Sequence, residues 1–338
     1  MHRAGSHVSV IATIHPRIFI MRLRNAVLTG TILAIAATAS LSVSASVSDS
    51  ASVSDSGSAS TACPPAGHTR TTLLALRSQG FVVSDDHARQ RLAIDLLDCL
   101  AAPDPELRDG VAFEALAAWL RDTRLTADTR AELLTRLLAL LTAPDPAGFS
   151  QPFAALVLSE VVRTDRIEPW LTAAMRETVL TAATHYLSTI TDYRGFDDTE
   201  GWRHGIAHGA DLLLQLALNP ALDSDQIERL LAAVASQIAP ANGHAYIYGE
   251  SERLARPVLY AALRETRSDE HWHTWFTTLA SPGPSGDWAE AMKQQAGLAR
   301  RHNLRAFLAI IYSAARDSSE TRIAALAPHA LAALRTIP

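Results

Sequence analysis

The sequence predicts an all-α fold, a HEAT-like α/α superhelix of stacked helical hairpins, on two observations. From about Thr71 to the C-terminus, apolar residues recur with a period of about 3.6 residues, and strand-like alternation is almost absent. The tetrapeptide Ala-Pro-Asp-Pro occurs at residues 102–105 and again at residues 143–146, each time before a new helical pattern. The interval of 41 residues suits a repeat of two helices. A closed α/α toroid is the alternative arrangement of such hairpins.

Start signals and apolar stripes divide this region into roughly twelve helices of about ten to twenty residues. Polar residues that favour helix N-caps stand at Ser84, Thr126 and Asp223, each before an apolar-periodic run. Leucine-rich stripes at residues 133–141 and 230–238 have the spacing of amphipathic helices. We therefore expect short turns of Pro, Asp and Gly between helices that each bury one face.

The first 66 residues differ from the rest and predict export. Residues 1–45 combine an upstream extension with a secretory signal that starts at Met21, where arginines precede an apolar run and an Ala-Thr-Ala cleavage site. Residues 46–66 are rich in serine and alanine and predict a flexible tether, and residues 67–338 predict a single helical domain. The expected location is periplasmic or secreted, with no membrane span after cleavage; an uncleaved N-terminal anchor is the alternative.

The charge balance argues against nucleic acid as a partner. The chain has 30 basic and 35 acidic residues, a net charge of −5. Without the four arginines of residues 1–45, 26 basic residues face 35 acidic ones, a net charge of −9. An acidic chain repels the phosphate backbone. The chain has two cysteines, Cys63 and Cys99, which either pair in an oxidising compartment or remain free thiols.

The segment Gly-Trp-Arg-His-Gly-Ile-Ala-His-Gly-Ala-Asp-Leu-Leu, residues 201–213, is the most unusual in the chain. If it is helical from Gly201, the side chains of His204, His208 and Asp211 lie on one line. Gly201, Gly205 and Gly209 then form a second line beside them, although each interior glycine costs about 1 kcal/mol relative to alanine. Glycines at this spacing predict the close approach of a neighbouring helix or of a ligand.

The line of two histidines and an aspartate has three interpretations. His204, His208 and Asp211 are suitable ligands for a divalent metal such as zinc. They also suit a hydrogen-bonded polar seam between packed helices, or a solvated face. Trp202 is expected to anchor the preceding loop onto the core.

A second cluster lies in residues 243–257 and contains Tyr248, Glu250 and Arg253. Ser251 is expected to cap the helix that follows. Glu250 has no such structural explanation, and it would supply a further oxygen ligand or an acid/base carboxylate if the fold brings it near His208. By contrast, the histidines of His-Trp-His at 271–273 point apart on a helix, and the aromatic residues around them predict core packing.

Five segments of the chain resemble those of a bacterial family catalogued as domain of unknown function 2785. The segments are Gly-Trp-Arg-His-Gly-Ile-Ala-His-Gly-Ala-Asp, Tyr-Gly-Glu-Ser-Glu-Arg-Leu-Ala and the runs at 107–120, 153–162 and 303–312. The resemblance extends from about residue 85 to the C-terminus. It implies an all-helical domain without an established activity. It also implies that the residues to examine first are His204, His208, Asp211, Glu250 and Arg253.

These observations predict a protein that binds a protein or small-molecule ligand on a concave face. Its expected binding residues are His204, His208, Asp211, Glu250, Arg253, Trp202 and Tyr248. The alternative is a hydrolase that uses a metal on the same face or the carboxylates of Asp211 and Glu250.

Overall fold

A computed structural model describes residues 63–264 and 267–338, which belong to one structural unit. The predicted signal, its cleavage site and residues 46–62 of the tether lie outside these residues. None of the helices in the described part is both long and apolar enough to cross a bilayer.

The N-terminal half consists of helices and helical turns. In chain order these are α1 (Arg70–Ser78), α2 (Asp86–Asp95), a 3₁₀ segment (Leu96–Ala101), α3 (Pro105–Leu107), a π-helical turn (Arg108–Phe113), α4 (Glu114–Arg121), α5 (Ala127–Thr142), α6 (Ser150–Ile167) and α7 (Ala173–Thr189). Helix α3, the π turn and α4 follow one another without a break.

A small hairpin then precedes the C-terminal helices. Strands β1 (Phe196–Asp197) and β2 (Gly201–Trp202) are antiparallel, with Phe196 opposite Trp202. The elements after them are α8 (Gly205–Ala217), α9 (Ser224–Ile238), α10 (Glu250–Ala261), α11 (Asp269–Leu279), a 3₁₀ turn (Gly283–Ser285), α12 (Trp288–Ala291), α13 (Gln295–Arg316), α14 (Thr321–Ala324) and α15 (Leu326–Thr336).

The all-α prediction is confirmed, and the described part contains twelve α-helices of at least eight residues. Thr126 caps α5 by accepting a hydrogen bond from the Thr129 amide, as predicted. Asp223 caps α9 in a reciprocal capping box with Gln226. The first predicted cap is displaced by one residue: Asp85, not Ser84, caps α2.

The longer helices pack as successive pairs. Helices α6, α8, α10 and α13 contact one another in that order, and α5, α7 and α9 contact one another beside them. Within each pair, α5 packs on α6, α7 on α8 and α9 on α10. These contacts are those of stacked helical hairpins; the HEAT-like curvature stays a prediction. The apolar stripes of α5 and α9 lie in the core, where Leu133, Leu137, Leu230 and Val234 are fully buried.

Cys63 and Cys99 form a disulfide bond across 36 positions of the chain. Cys99 lies fully buried in the 3₁₀ segment after α2. The bond therefore ties the first described residue to the core. Of the two alternatives left by the sequence, the structure contains the paired form.

Candidate functional site

Helix α8 begins at Gly205, four residues later than the sequence predicts. Gly201 lies in β2 with φ +74°, and His204 is the N-cap of α8 in the left-handed conformation, with φ +58°. Gly201 takes up a positive φ without a steric cost and allows the hairpin to form before the helix. The prediction of a continuous helix from Gly201, with its line of three glycines, is therefore wrong.

The two histidines still lie close together, although only one belongs to the helix. The His208 amide donates to the His204 carbonyl at 3.0 Å, and the ring centroids are 5.7 Å apart. His204 stacks on Trp202 at 4.6 Å, and the edge of His208 meets the ring of Phe153 at 5.0 Å. Both imidazoles are thus packed against aromatic side chains.

Burial keeps both imidazoles neutral. Burial first, and then the nearby positive charge of Arg253, lower the pKa of His204 to about 4, against a smaller opposing effect of a hydrogen bond with the Tyr248 backbone. Burial holds the pKa of His208 well below its usual value, and the charges of His204 and Arg253 act in the same direction. His204 Nε2 and His208 Nδ1 are buried and have no hydrogen-bond partner among the described residues.

Asp211 binds Arg253 and not the histidines. The Arg253 Nε donates to Asp211 Oδ1 at 2.8 Å, and a second guanidinium nitrogen contacts Oδ2, so that the pair is bidentate and joins α8 to α10. Among the described residues, no group of three or more His, Cys, Asp or Glu side chains is placed to hold a metal ion. The structure therefore does not assemble the metal site predicted from His204, His208 and Asp211.

Glu250 is the first residue of α10 and is 2% exposed. Its Oε2 accepts a hydrogen bond of 2.8 Å from the Tyr248 amide. Gly249 forms the N-cap with φ +88°, so the prediction that Ser251 caps this helix is wrong. Both carboxylates proposed for acid/base chemistry are thus bound by other groups of the protein, Asp211 by Arg253 and Glu250 by this amide.

The glycines of α8 pack against α7. A Cβ on Gly209 would lie 3.1 Å from Leu187 Cδ1 and 3.2 Å from Tyr186 Cε1. A Cβ on Gly205 would lie 3.2 Å from the Tyr186 hydroxyl. The sequence predicted that these glycines allow the close approach of either a helix or a ligand. The structure shows the close approach of a helix, α7.

Trp202 and Tyr248, both predicted as binding residues, meet where the β1–β2 hairpin faces the segment before α10. Trp202 packs against Phe196 at 4.9 Å and edge-on against Tyr248 at 5.9 Å. The Tyr248 ring lies directly on Gly195, at a place where any Cβ would overlap it. The two unusual segments of the sequence therefore form one aromatic cluster.

A groove of about 650 Å³ lies between these two segments. Its lining residues are Thr191, Asp192, Tyr193, Arg194, Gly195, Phe196, Asp197, Glu200, Arg203, His244, Ile247 and Tyr248. Tyr193 stacks on His244 at 5.0 Å with nearly parallel rings. Phe196 and Ile247 are 43% and 72% exposed. The groove thus combines apolar surface with polar and charged side chains.

The charged groups of the groove are engaged with one another or with the backbone. Arg194 binds Asp192 through Nε at 2.9 and 3.0 Å. Arg203 donates to Glu200 Oε2 at 2.8 Å and lies over the Phe149 ring at 4.2 Å. These pairs fix the orientation of the groove's polar walls without leaving a large net charge.

Arg108, which the sequence did not single out, supports the groove from below. It is fully buried in the π-helical turn and lies over the rings of Phe149 and Phe153, at 4.2 and 4.9 Å. Its Nη2 donates to the Glu200 carbonyl at 2.7 Å. Asp109 pairs with it, and burial raises the pKa of that carboxyl to about 6.

The groove residues that the sequence did not identify as binding residues are Thr191, Asp192, Tyr193, Arg194, Gly195, Phe196, Asp197, Glu200, Arg203, His244 and Ile247. Except for Phe196 and Asp197 in β1, they lie on loops, and helical periodicity carries no information about either.

Comparison with known proteins identifies a family but no function. No curated protein and no solved structure matches the chain. The sequence profile of one family, described as a protein of unknown function (DUF2785), matches residues 133–313, which include the hairpin, α8 and α10. Because this match covers more than half of the 338 residues, the chain belongs to the DUF2785 family.

Proposed function

We propose that the protein is a binding protein that takes a small molecule in the groove between residues 191–203 and 243–248. The observation that carries the proposal is the groove itself. Its volume of about 650 Å³ lies within the range of roughly 300–1,000 Å³ that is typical of ligand pockets. Its walls come from loops held by a rigid helical scaffold, which is the usual place for binding residues.

The chemistry of the walls favours a ligand that is polar and has an apolar face. Phe196, Tyr248 and Ile247 offer apolar surface on which such a face can pack. The Asp192–Arg194 and Glu200–Arg203 pairs offer oriented donors and acceptors at fixed positions. Because these charges already neutralise one another, they select a ligand by hydrogen bonding more than by net charge.

The histidines have a supporting place in this proposal. His204 stacks on Trp202, which in turn contacts Phe196 and Tyr248 of the groove wall. His208 lies beneath, against Phe153. His204 is partly buried and His208 is buried, and both are neutral, so they support the aromatic cluster and do not contact the ligand themselves.

We also propose that the protein is exported. The secretory signal predicted in residues 1–45 supports this, and so does the Cys63–Cys99 disulfide bond, because such bonds persist in oxidising compartments.

Ligand-observed NMR with a library of small polar compounds tests the binding proposal. Gly195→Ala places a methyl group where the Tyr248 ring now lies and displaces that ring, while Ile247→Ser removes apolar surface from the rim. We expect compounds that bind the wild type to bind Gly195→Ala about tenfold more weakly or not at all. Ile247→Ser should weaken them several-fold.

Ile167→Ser is the matched control, since Ile167 is also an exposed isoleucine (58%) but does not line the groove. It should leave binding unchanged. Equal binding by the wild type, Gly195→Ala and Ile247→Ser, or an absence of any binding compound, would contradict the proposal.

A further inference from the structure

A second cavity, of about 350 Å³, lies beside the groove and shares Thr191 and Asp192 with it. The C-terminal end of α5, the turn before α6, the exposed side of α7 and Gly205 form its walls. Apart from these two shared residues, nothing in the proposed function uses this cavity.

Tyr186 of α7 is buried in its wall, with only 5% of the residue exposed. Its hydroxyl lies 3.2 Å from the position of a Cβ on Gly205, another residue of the cavity wall, and it has no hydrogen-bond partner among the described residues. The hydroxyl oxygen itself is not fully buried, so it opens onto the cavity. The hydroxyl is therefore a donor and acceptor at the cavity surface that a ligand can engage.

Two carboxylates face the same cavity. Asp145 accepts hydrogen bonds from the Gly148 amide at 3.0 Å and the Gln151 amide at 2.9 Å. Asp192 is bound by Arg194, and it lies so close to Gly148 that no side chain fits at that position. Gly148 thus brings the Asp192 carboxylate up to the turn that carries Asp145.

The charges around the cavity leave it negative. One guanidinium, that of Arg194, is bound to Asp192, whereas Asp145 is held only by backbone amides. Arg203 also acts on Asp192 but is paired with Glu200. The other titratable side chain of the wall is His185. Burial, and after it the charges of Asp145 and Asp192, raise the pKa of Tyr186.

We propose that this cavity binds the ammonium group of a small organic amine, between the Tyr186 hydroxyl and the carboxylates of Asp145 and Asp192. An ammonium group has three N–H donors and no acceptor, which matches three oxygen acceptors around a net negative charge. The space is far larger than a single ion needs, so an amine with a short carbon chain fits it. The apolar side chains of Leu141 and Ile190 line the remainder of the cavity and suit that chain.

Isothermal titration with butylammonium chloride tests this proposal, with butan-1-ol as the neutral probe of similar size. We expect saturable binding of butylammonium and none of butan-1-ol. Tyr186→Phe removes the hydroxyl alone and should weaken binding about tenfold, the usual effect of losing a hydrogen bond to a charged group. Asp192→Asn should weaken it at least as much.

Tyr193→Phe is the matched control, because it removes a hydroxyl that is bound to Gln237 and lies in the neighbouring groove. It should bind butylammonium as the wild type does. If Asp192→Asn does not fold, the comparison of Tyr186→Phe with Tyr193→Phe still tests the proposal. The absence of saturable binding, equal binding of the alcohol, or an unchanged affinity in Tyr186→Phe would overturn the proposal. Because Tyr186 does not line the groove, the Tyr186→Phe result does not bear on the library screen.

Discussion

Arg253 holds the Asp211 carboxylate in a bidentate ion pair, and this pair ties α10 to α8. Side-chain exposures of 30% for Arg253 and 14% for Asp211 show that it is mostly shielded from water. Burial lowers the pKa of Arg253 to about 10, so the guanidinium remains charged at neutral pH. Asp211 and Arg253, which the sequence singled out as candidate site residues, therefore join two helices.

We predict that Asp211→Asn destabilises the protein by about 2–3 kcal/mol, because it leaves the Arg253 charge mostly buried without its counter-charge. The matched control is the exposed Glu252–Arg256 pair on the same helix. Glu252→Gln should cost less than about 0.5 kcal/mol. Urea unfolding of both variants provides the measurement, and equal stability losses would show that the Asp211–Arg253 pair does not join the helices.

A second prediction concerns the glycines of α8. Gly209→Leu should destabilise by about 1–3 kcal/mol or more, because the new side chain meets Tyr186 and Leu187 of α7. Ala232→Leu, at an exposed position of α9, should change stability by less than about 0.5 kcal/mol. Thermal unfolding followed by circular dichroism compares the two. If both variants melt at the wild-type temperature, α7 does not pack on this face.

The pH dependence of stability tests the neutral state of His204. Its pKa in the folded protein is about 4, below the usual value of 6.5, so the unfolded chain binds more protons between these two values. His204 therefore does not reduce the free energy of unfolding above about pH 6.5. Below that pH the free energy of unfolding falls as the pH decreases toward 4. The full decrease in the free energy of unfolding over this range is roughly 3 kcal/mol.

His204→Phe removes the titrating group and keeps a ring to stack on Trp202. The free energy of unfolding of this variant should depend less on pH between 4 and 6.5 than that of the wild type. Other groups titrate in the same range, among them Asp109, but the difference between the two proteins isolates His204. Parallel curves would mean that His204 is not buried in its neutral form.

The disulfide bond gives a fourth prediction. Replacing Cys63 and Cys99 by alanine should destabilise the protein by about 3–4 kcal/mol, the loop-closure effect expected for 36 residues. Wild-type protein treated with a reducing agent should lose a similar amount, whereas the double variant should not respond to the reagent. A wild-type protein whose unfolding is insensitive to reduction would contradict the presence of the bond.

Sequence reasoning succeeded where a local rule determines the structure. The period of the leucines placed α5 and α9, and Thr126 and Asp223 act as caps because their side chains satisfy free amides at a helix start. The two tryptophans and Phe276 around His271–His273 pack as predicted, with Trp272 and Phe276 buried and Trp275 against the core.

The sequence did not predict the hairpin before α8, because the backbone conformation there depends on contacts between residues that are distant in sequence. Gly201 adopts a positive φ, and Pro105 and Arg108 lie against it from almost a hundred residues earlier. The partner of Asp211 lies 42 residues later, on α10. The spacing of residues in one segment carries no information about such contacts, so the predicted line of His204, His208 and Asp211 could not be tested without the fold.

The most direct test of the groove is fluorine NMR of the protein labelled with 5-fluorotryptophan, with the Trp202 signal assigned from a Trp202→Phe variant. Trp202 contacts Phe196 and Tyr248 of the groove wall, whereas Trp119 is buried elsewhere and hydrogen-bonded to the Phe81 carbonyl. A compound that binds in the groove should shift the Trp202 signal in a saturable way and leave that of Trp119 in place. Bound compounds that move other tryptophan signals but never that of Trp202 would contradict a ligand site between these two loops.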